Sequence, residues 1–267
     1  MKKIILALML AACSLFSNTL TQIKEKGVIR IGIDGSSPPF SVAKAGEYSG
    51  FEILLIEGLV KEIFGDKGSK IQYVVTVGDD RIKAVQDNRV DLDIALISVT
   101  KEREKLVDFS DPYFSVNIGV LTRSDDNIRK VSDLNGKTIL AQPGTTVFDY
   151  FTKQGYNVVP CASANECFND LKSGKGDGYG DDNLLVFAYA VVDRKVEVNI
   201  KNLGSTDFLA IAVQKGNTEL LNAVNAGLIE LSKKGFFTKI FDESIEPFYK
   251  GTVDKKYFLL DDLYSLF

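Results

Sequence analysis

The chain reads as an α/β protein of two lobes, and two observations predict it. β-rich runs alternate with helix-forming runs along most of the length, the order that builds sheets covered by helices. At 267 residues with 45% apolar side chains, the chain is ordinary for a globular protein and long for one comfortable hydrophobic core. No internal repeat or low-complexity tract interrupts the alternation.

The first element is a leader. Lys2 and Lys3 precede an unbroken apolar run, Ile4 to Ala12, far short of the roughly 20 residues a membrane helix needs, so residues 1–12 read as an export signal rather than a buried N-terminal strand. Residues 13–26 form a small polar tether and a short helical lead-in that ends at Gly27. Val28 to Ile33 (VIRIGI) is a strand, broken at Asp34, Gly35, Ser36, Ser37, Pro38 and Pro39. Loops at the carboxyl ends of strands are where ligands bind in open α/β sheets. Gly50 to Ile63 carries apolar residues at 51, 54, 55, 59 and 63, which suits an amphipathic helix. Ile71 to Val77 is the next strand, and Asp80 to Asn88 a short helix with Ile82 and Val85 inward.

The stretch Asp91 to Phe114 reads strand, turn, helix. Leu92, Ile94, Leu96, Ile97 and Val99 form the β-rich run, and KEREKLV follows with Thr100 as N-cap and Glu102 suited to the first turn. A helix N-terminus beside the Arg103 guanidinium would receive a carboxylate. Taken alone, the stretch reads first as an ordinary surface turn, with Arg103 paired to Asp108 or Glu104.

Tyr113 to Thr122 is long for one strand. Asp133 to Gln142 gives a turn and a strand, and Gly144, Thr145 and Thr146 open a second helix N-terminus. Ala164 to Ser173 is helical, a short β segment around Tyr179 ends at Asp181 and Asp182, and Leu184 to Val191 is a strongly apolar helix. Asp207 to Gln214 is a strand, Asn217 to Lys233 an amphipathic helix, and Gly235 to Phe241 packs its end. Glu246 to Phe267 exceeds what such a fold requires. On the residues alone, Thr145 reads first as a simple N-cap, Asp181 and Asp182 as turn residues, and Phe40 and Phe51 as core.

The formal charge is −4 and becomes two units more negative once Lys2 and Lys3 leave with the leader, which argues against nucleic acid as a partner. The chain has no histidine and two thiols seldom hold zinc without further ligands, so no metal site and no cofactor are expected. Leu10-Ala11-Ala12-Cys13 resembles the bacterial lipobox, which would place a lipid on Cys13. Cys161 and Cys167, spaced C-x5-C, are either a disulfide or two separate thiols.

ISVTKEREKLVDFSDPYF resembles the signature of periplasmic amino-acid-binding proteins of ABC importers, family 3 of the bacterial solute-binding proteins, and the similarity runs from about Val28 to Phe241. In pattern it is nearest to the cysteine-binding and aspartate/glutamate-binding lipoproteins. The resemblance implies a type II two-lobed fold with a ligand cleft between lobes joined by two crossing strands, lobe 1 from 27–115 and 209–267 and lobe 2 from 116–208. It implies that Arg103 and Ser98, with Thr145 and Thr146 opposite, hold the ligand's α-carboxylate. Asp182, helped by groups near Ala95 and Leu96, would hold the ammonium. Arg81 matches a side-chain reader, and Asp34, Gln142, Asp181 and Phe51 complete the expected contacts.

Several positions depart from the family pattern. Ser37 and Gly78 stand where relatives place wall aromatics, Leu96 where a small or polar residue is usual, and Asp181 where a neutral polar one is frequent. With Asp34, Asp79, Asp80 and Asp181 expected near Arg81, an acidic ligand would meet like charges, so a small polar amino acid such as cysteine is expected first, aspartate or glutamate next. The competing reading of Arg81 is a salt bridge to Asp79 or Asp80. The implied protein is a monomer in the periplasm, lipid-anchored to a membrane, that performs no chemistry and hands its ligand to an inner-membrane ABC permease with its ATPase. Two other classes stand beside it: a dehydratase on the same fold, with Asp181 as general acid, and a surface lipoprotein acting as antigen or adhesin.

Overall fold

The computed structural model describes residues 18–65 and 69–259; the expected leader and Cys13 lie outside them. In chain order the elements are α1 (Leu20–Lys26), β1 (Val28–Ile33), β2 (Ser36–Ser37), β3 (Ser41–Lys44), β4 (Glu47–Ser49), α2 (Phe51–Phe64), β5 (Lys70–Val75), α3 (Asp80–Gln86), β6 (Leu92–Asp93), β7 (Val107–Phe109), β8 (Phe114–Arg123), β9 (Thr138–Ala141), α4 (Thr146–Lys153), β10 (Asn157–Pro160), α5 (Ala164–Ser173), β11 (Gly178–Asp182), α6 (Asn183–Val192), β12 (Val196–Leu209), β13 (Ala212–Gln214), α7 (Thr218–Lys233), α8 (Phe236–Ser244) and α9 (Glu246–Tyr249).

Two five-stranded sheets make two lobes. In lobe 1 the order is β5-β1-β6-β13-β7, with β5, β1 and β6 parallel and β13 antiparallel to both β6 and β7. In lobe 2 the order is β10-β9-β11-β8-β12. Strands β8 and β12 run antiparallel side by side, with Leu209 opposite Phe114 and Asp207 opposite Val116, so the two passages between the lobes lie together as one ribbon. A small sheet, β2-β3-β4, flanks the first lobe.

Each lobe is built by the period of its apolar residues. α2 starts at Gly50, whose φ of +119° and a Cβ site only 2.4 Å from the Phe40 carbonyl oxygen leave room for glycine alone. Its buried face, with Leu55, Ile56 and Leu59, packs against Val224 and Leu228 of α7 in the main core. In lobe 2 the pleat alternates between two cores. Ile118, Val120 and Ile139 face Val147 and Phe151 of α4, whereas Leu121, Leu140 and Tyr179 face Cys167, Leu171 and Val186 of α5 and α6. Cys161 and Cys167 are disulfide-bonded across the entry to α5.

Four expectations need correction. The helix expected over KEREKLV is a single 3-10 turn, Arg103–Lys105, because Lys101, Glu102, Glu104, Lys105 and Leu106 are all exposed and offer no apolar face to bury before β7 begins. The expected strand over residues 92–99 is two residues long, since the chain turns away at Leu96, whose φ is +54°. β12 begins at Val196, well before the expected Asp207, and ends at Leu209, with β13 resuming at Ala212. The C-terminal segment is no surplus in its described part. Tyr249 is buried and its hydroxyl donates to the Leu184 carbonyl of α6. Phe258 stacks on Phe114 at 5.8 Å, and its carbonyl accepts from the Ser115 amide at 3.0 Å, so this part of the segment lies against the start of β8.

Candidate ligand cleft

Where the carboxyl ends of the strands of both lobes converge, a cavity lies between them. Its cationic side comes from Arg81 and Arg103. The carbonyls of Gly78, Ala95 and Leu96 and that of Gly144 in the other lobe accept four hydrogen bonds from Arg81, at 2.9 to 3.1 Å. Asp80 pairs with Arg89 rather than with Arg81. Arg103 donates to the Ser98 carbonyl at 2.7 Å and, across the cleft, to the same Gly144 carbonyl at 2.9 Å. One carbonyl of lobe 2 is thus gripped by two guanidinium groups of lobe 1. Burial and the neighbouring Arg81 lower Arg103 to about 10, which leaves it charged at neutral pH.

Thr145 caps α4: its hydroxyl accepts from the Phe148 amide at 3.1 Å and donates to the Gln142 carbonyl at 2.7 Å. That side chain is fully engaged, and the open donors of this helix end are the first-turn amides of Thr146 and Val147, both in the cavity wall. A helix N-terminus and two guanidinium groups make the site receptive to a carboxylate.

The anionic side is Asp34, Asp181 and Asp182. Asp34 accepts from the Ser36 amide and hydroxyl through Oδ1 alone. Asp181 and Asp182 are buried at the end of β11 rather than in an exposed turn. The Tyr179 hydroxyl and the Asp182 amide donate to Asp181, yet burial outweighs them and raises Asp181 to about 6. Burial, then the adjacent Asp181 and Asp207, raises Asp182 well above the usual carboxylate range against the pull of Arg81 and Arg103. Two adjacent acids short of compensating charge are a receptor for a cation.

Ser98, Leu96 and Gln142 line the cavity as expected, as do Ser37 and Gly78, which put no aromatic ring there. Ala95 contributes only through its carbonyl, behind the wall. Phe51 is not in the wall: it is fully buried, edge-on to Phe40 and Phe114 in the core of lobe 1. The sequence reading missed Val147, Ala164 and Leu185 as wall residues. Leu185 sits three positions after Asp182, one turn into the same helix, and that spacing was a usable signal. The cavity is small, about 30 Å³.

The model of the family described as bacterial extracellular solute-binding proteins, family 3, matches residues 29–246. The glutamine-binding protein of a Bacillus subtilis ABC transporter is 29% identical over 86% of this chain and 85% of its own. Among solved structures, a solute receptor for L-cysteine from Neisseria gonorrhoeae is 36% identical with a TM-score of 0.86, covering 90% of this chain and 99% of its own. The cysteine-binding protein of Campylobacter jejuni is 35% identical with the same TM-score, covering 91% and 99%.

Proposed function

Because the chain belongs to family 3 of the bacterial extracellular solute-binding proteins, we propose that it captures a small polar L-amino acid, cysteine first, and delivers it to an ABC permease. The observation that carries this reading is the gathering of opposite charge in one cavity: Arg81, Arg103 and the α4 end together with Asp34, Asp181 and Asp182. A zwitterion satisfies both sides at once, and because the partners come from both lobes, binding and closure are coupled. In this reading Arg103, Ser98, Thr146 and the α4 amides hold the carboxylate, and Asp182 with Asp181 holds the ammonium.

Three features support a small neutral side chain. Arg81 is committed to carbonyl acceptors, the space is narrow, and Ser37 and Gly78 supply no stacking surface for a long or flat group. The likeness to two cysteine-binding proteins points the same way. Glutamine is the second ligand to consider, on the likeness to a glutamine-binding protein. Lobe 1 as 27–115 with 209–267, lobe 2 as 116–208, a monomeric state, periplasmic location and a lipid anchor at Cys13 complete the proposal.

A thermal-shift screen of the twenty amino acids plus cystine tests it, since a ligand that binds only the folded state raises the melting temperature. Cysteine is expected to give the largest shift. The absence of a shift with any amino acid would refute the receptor reading, and a larger shift with glutamate would refute the preference for a neutral side chain.

A further inference from the structure

Glu52 is a carboxyl group that packing does not require. It lies in the first turn of α2, fully buried beside Phe51 in an apolar core, where a carboxyl costs desolvation that an apolar side chain would not. Its Oε2 has no hydrogen-bond partner among the described residues, whereas Oε1 takes two donors: the Leu96 amide at 2.9 Å and the Tyr113 hydroxyl.

Both donors lead somewhere. Leu96 is in the cavity wall and holds a left-handed φ of +54°, a conformation a leucine keeps only when its surroundings hold it there. Its amide is held by Glu52, and its carbonyl, with that of Ala95, receives Nη1 of Arg81 at 2.9 and 3.0 Å. Tyr113 immediately precedes β8, the first strand of the ribbon between the lobes. A single buried oxygen therefore joins the turn that aims Arg81 to the start of the crossing ribbon.

We propose that Glu52 is a positioning residue of the cleft: by fixing the Leu96 turn it sets the carbonyl pair that orients Arg81, and through Tyr113 it ties that orientation to the first crossing strand. The proposal rests on reading the cleft as an amino-acid receptor, and it adds a residue that touches no ligand. Burial holds Glu52 up at about 8, so near neutral pH it is largely the neutral acid, whose Oε1 accepts both bonds as a glutamine carbonyl oxygen can and leucine cannot.

The test compares Glu52→Gln with Glu52→Leu in two measurements. In ligand-free, ¹⁵N-labelled protein, the Arg81 Nε–H signal is expected to shift or broaden in Glu52→Leu and to recover in Glu52→Gln; an unchanged signal in Glu52→Leu overturns the proposal without reference to any ligand. In calorimetry with cysteine, Glu52→Leu is expected to lower affinity at least about tenfold in the native background and to change it little in an Arg81→Ala background, since residues acting through one another are not additive. Equal fold-losses in both backgrounds would mean a merely structural role and overturn it. Tyr113→Phe, which keeps the ring and the packing, provides a second variant with the same expected coupling. An Arg81 signal that responds as expected in a protein binding no amino acid would support the positioning role and refute the receptor reading.

Discussion

Replacing Arg103 with alanine removes two contacts of the closed cleft. One is the proposed pairing with the ligand carboxylate; losing one partner of a desolvated charge pair costs about 2 to 5 kcal/mol. The other is the hydrogen bond to the Gly144 carbonyl at 2.9 Å across the cleft, and a hydrogen bond with a charged donor contributes about 1.5 to 3 kcal/mol. The bond to Ser98, five residues away, lies within one lobe and is left out of the sum. Loss of the repulsion between Arg103 and Arg81 offsets part of the cost, so the lower ends of the two ranges apply together. They give about 3.5 kcal/mol, or roughly a 300-fold loss of affinity. Arg103→Lys keeps the charge and one arm and is expected to lose about tenfold, since an ammonium cannot grip two acceptors in the guanidinium's plane. Isothermal calorimetry with cysteine measures both, with ligand-free melting as a control on folding. Near-native affinity in Arg103→Ala, or a lysine variant indistinguishable from native, would refute the reasoning.

Affinity for the amino acid is expected to fall as pH drops through about 6, because the ammonium must be met by ionised acids and burial raises Asp181 to about 6; calorimetry at pH 5 and 7 in two buffers should also register proton release, and pH-independent binding would contradict the assignment. Gly144→Ala would put a Cβ 2.5 Å from Asp79 Oδ1 of the opposite lobe at a φ of +77°, so at least tenfold weaker binding is expected with little loss of ligand-free melting temperature; unimpaired binding would show that the lobes close differently. Stability of the ligand-free protein is expected to decline as pH rises from about 5 to 8: Glu52 and Asp93 are both raised by burial to about 8, so the folded chain keeps two protons that the unfolded chain has lost, and the stability they contribute, fully present below the unfolded values, is lost as pH rises through about 8. Glu52→Gln and Asp93→Asn should each flatten that slope in a melting series, and an unaltered slope would refute the assignment.

Local periodicity made most elements legible. Alternation placed β1, α2, β5, α3, α5 and α7 where the structure has them, and the Gly-Thr-Thr signal located the start of α4. It failed where tertiary contact overrides local preference. KEREKLV is rich in helix formers, yet a helix needs a face to bury and this one has none. Residues 92–99 are rich in β formers, yet the chain is bent at Leu96 by Glu52 on one side and Arg81 on the other, partners 44 and 15 positions away. The same distance effect explains Phe51 and Glu52. An aromatic beside a cleft motif invited assignment to the wall, whereas the functional connection belongs to its neighbour and depends on contacts no spacing rule contains. The charged residues of the cleft were readable from the family motif, but the burial of Asp181 and Asp182, which alters their protonation, was not, because it depends on Tyr179 and on strands from elsewhere in lobe 2.

The position of β13 has a consequence for the order in which the protein can form. This strand inserts between β6 and β7, so a nascent chain that has emerged only as far as residue 208 holds the whole sheet of the second lobe, all but the last residue of β12, but an interrupted sheet for the first. Lobe 2 can condense from contacts within one contiguous stretch. Lobe 1 must wait for a segment more than a hundred residues beyond its own beginning, a long loop to close before those contacts give any return. A polypeptide threaded through a narrow pore from its amino end would keep the greater part of its first lobe unfolded until its last third arrived.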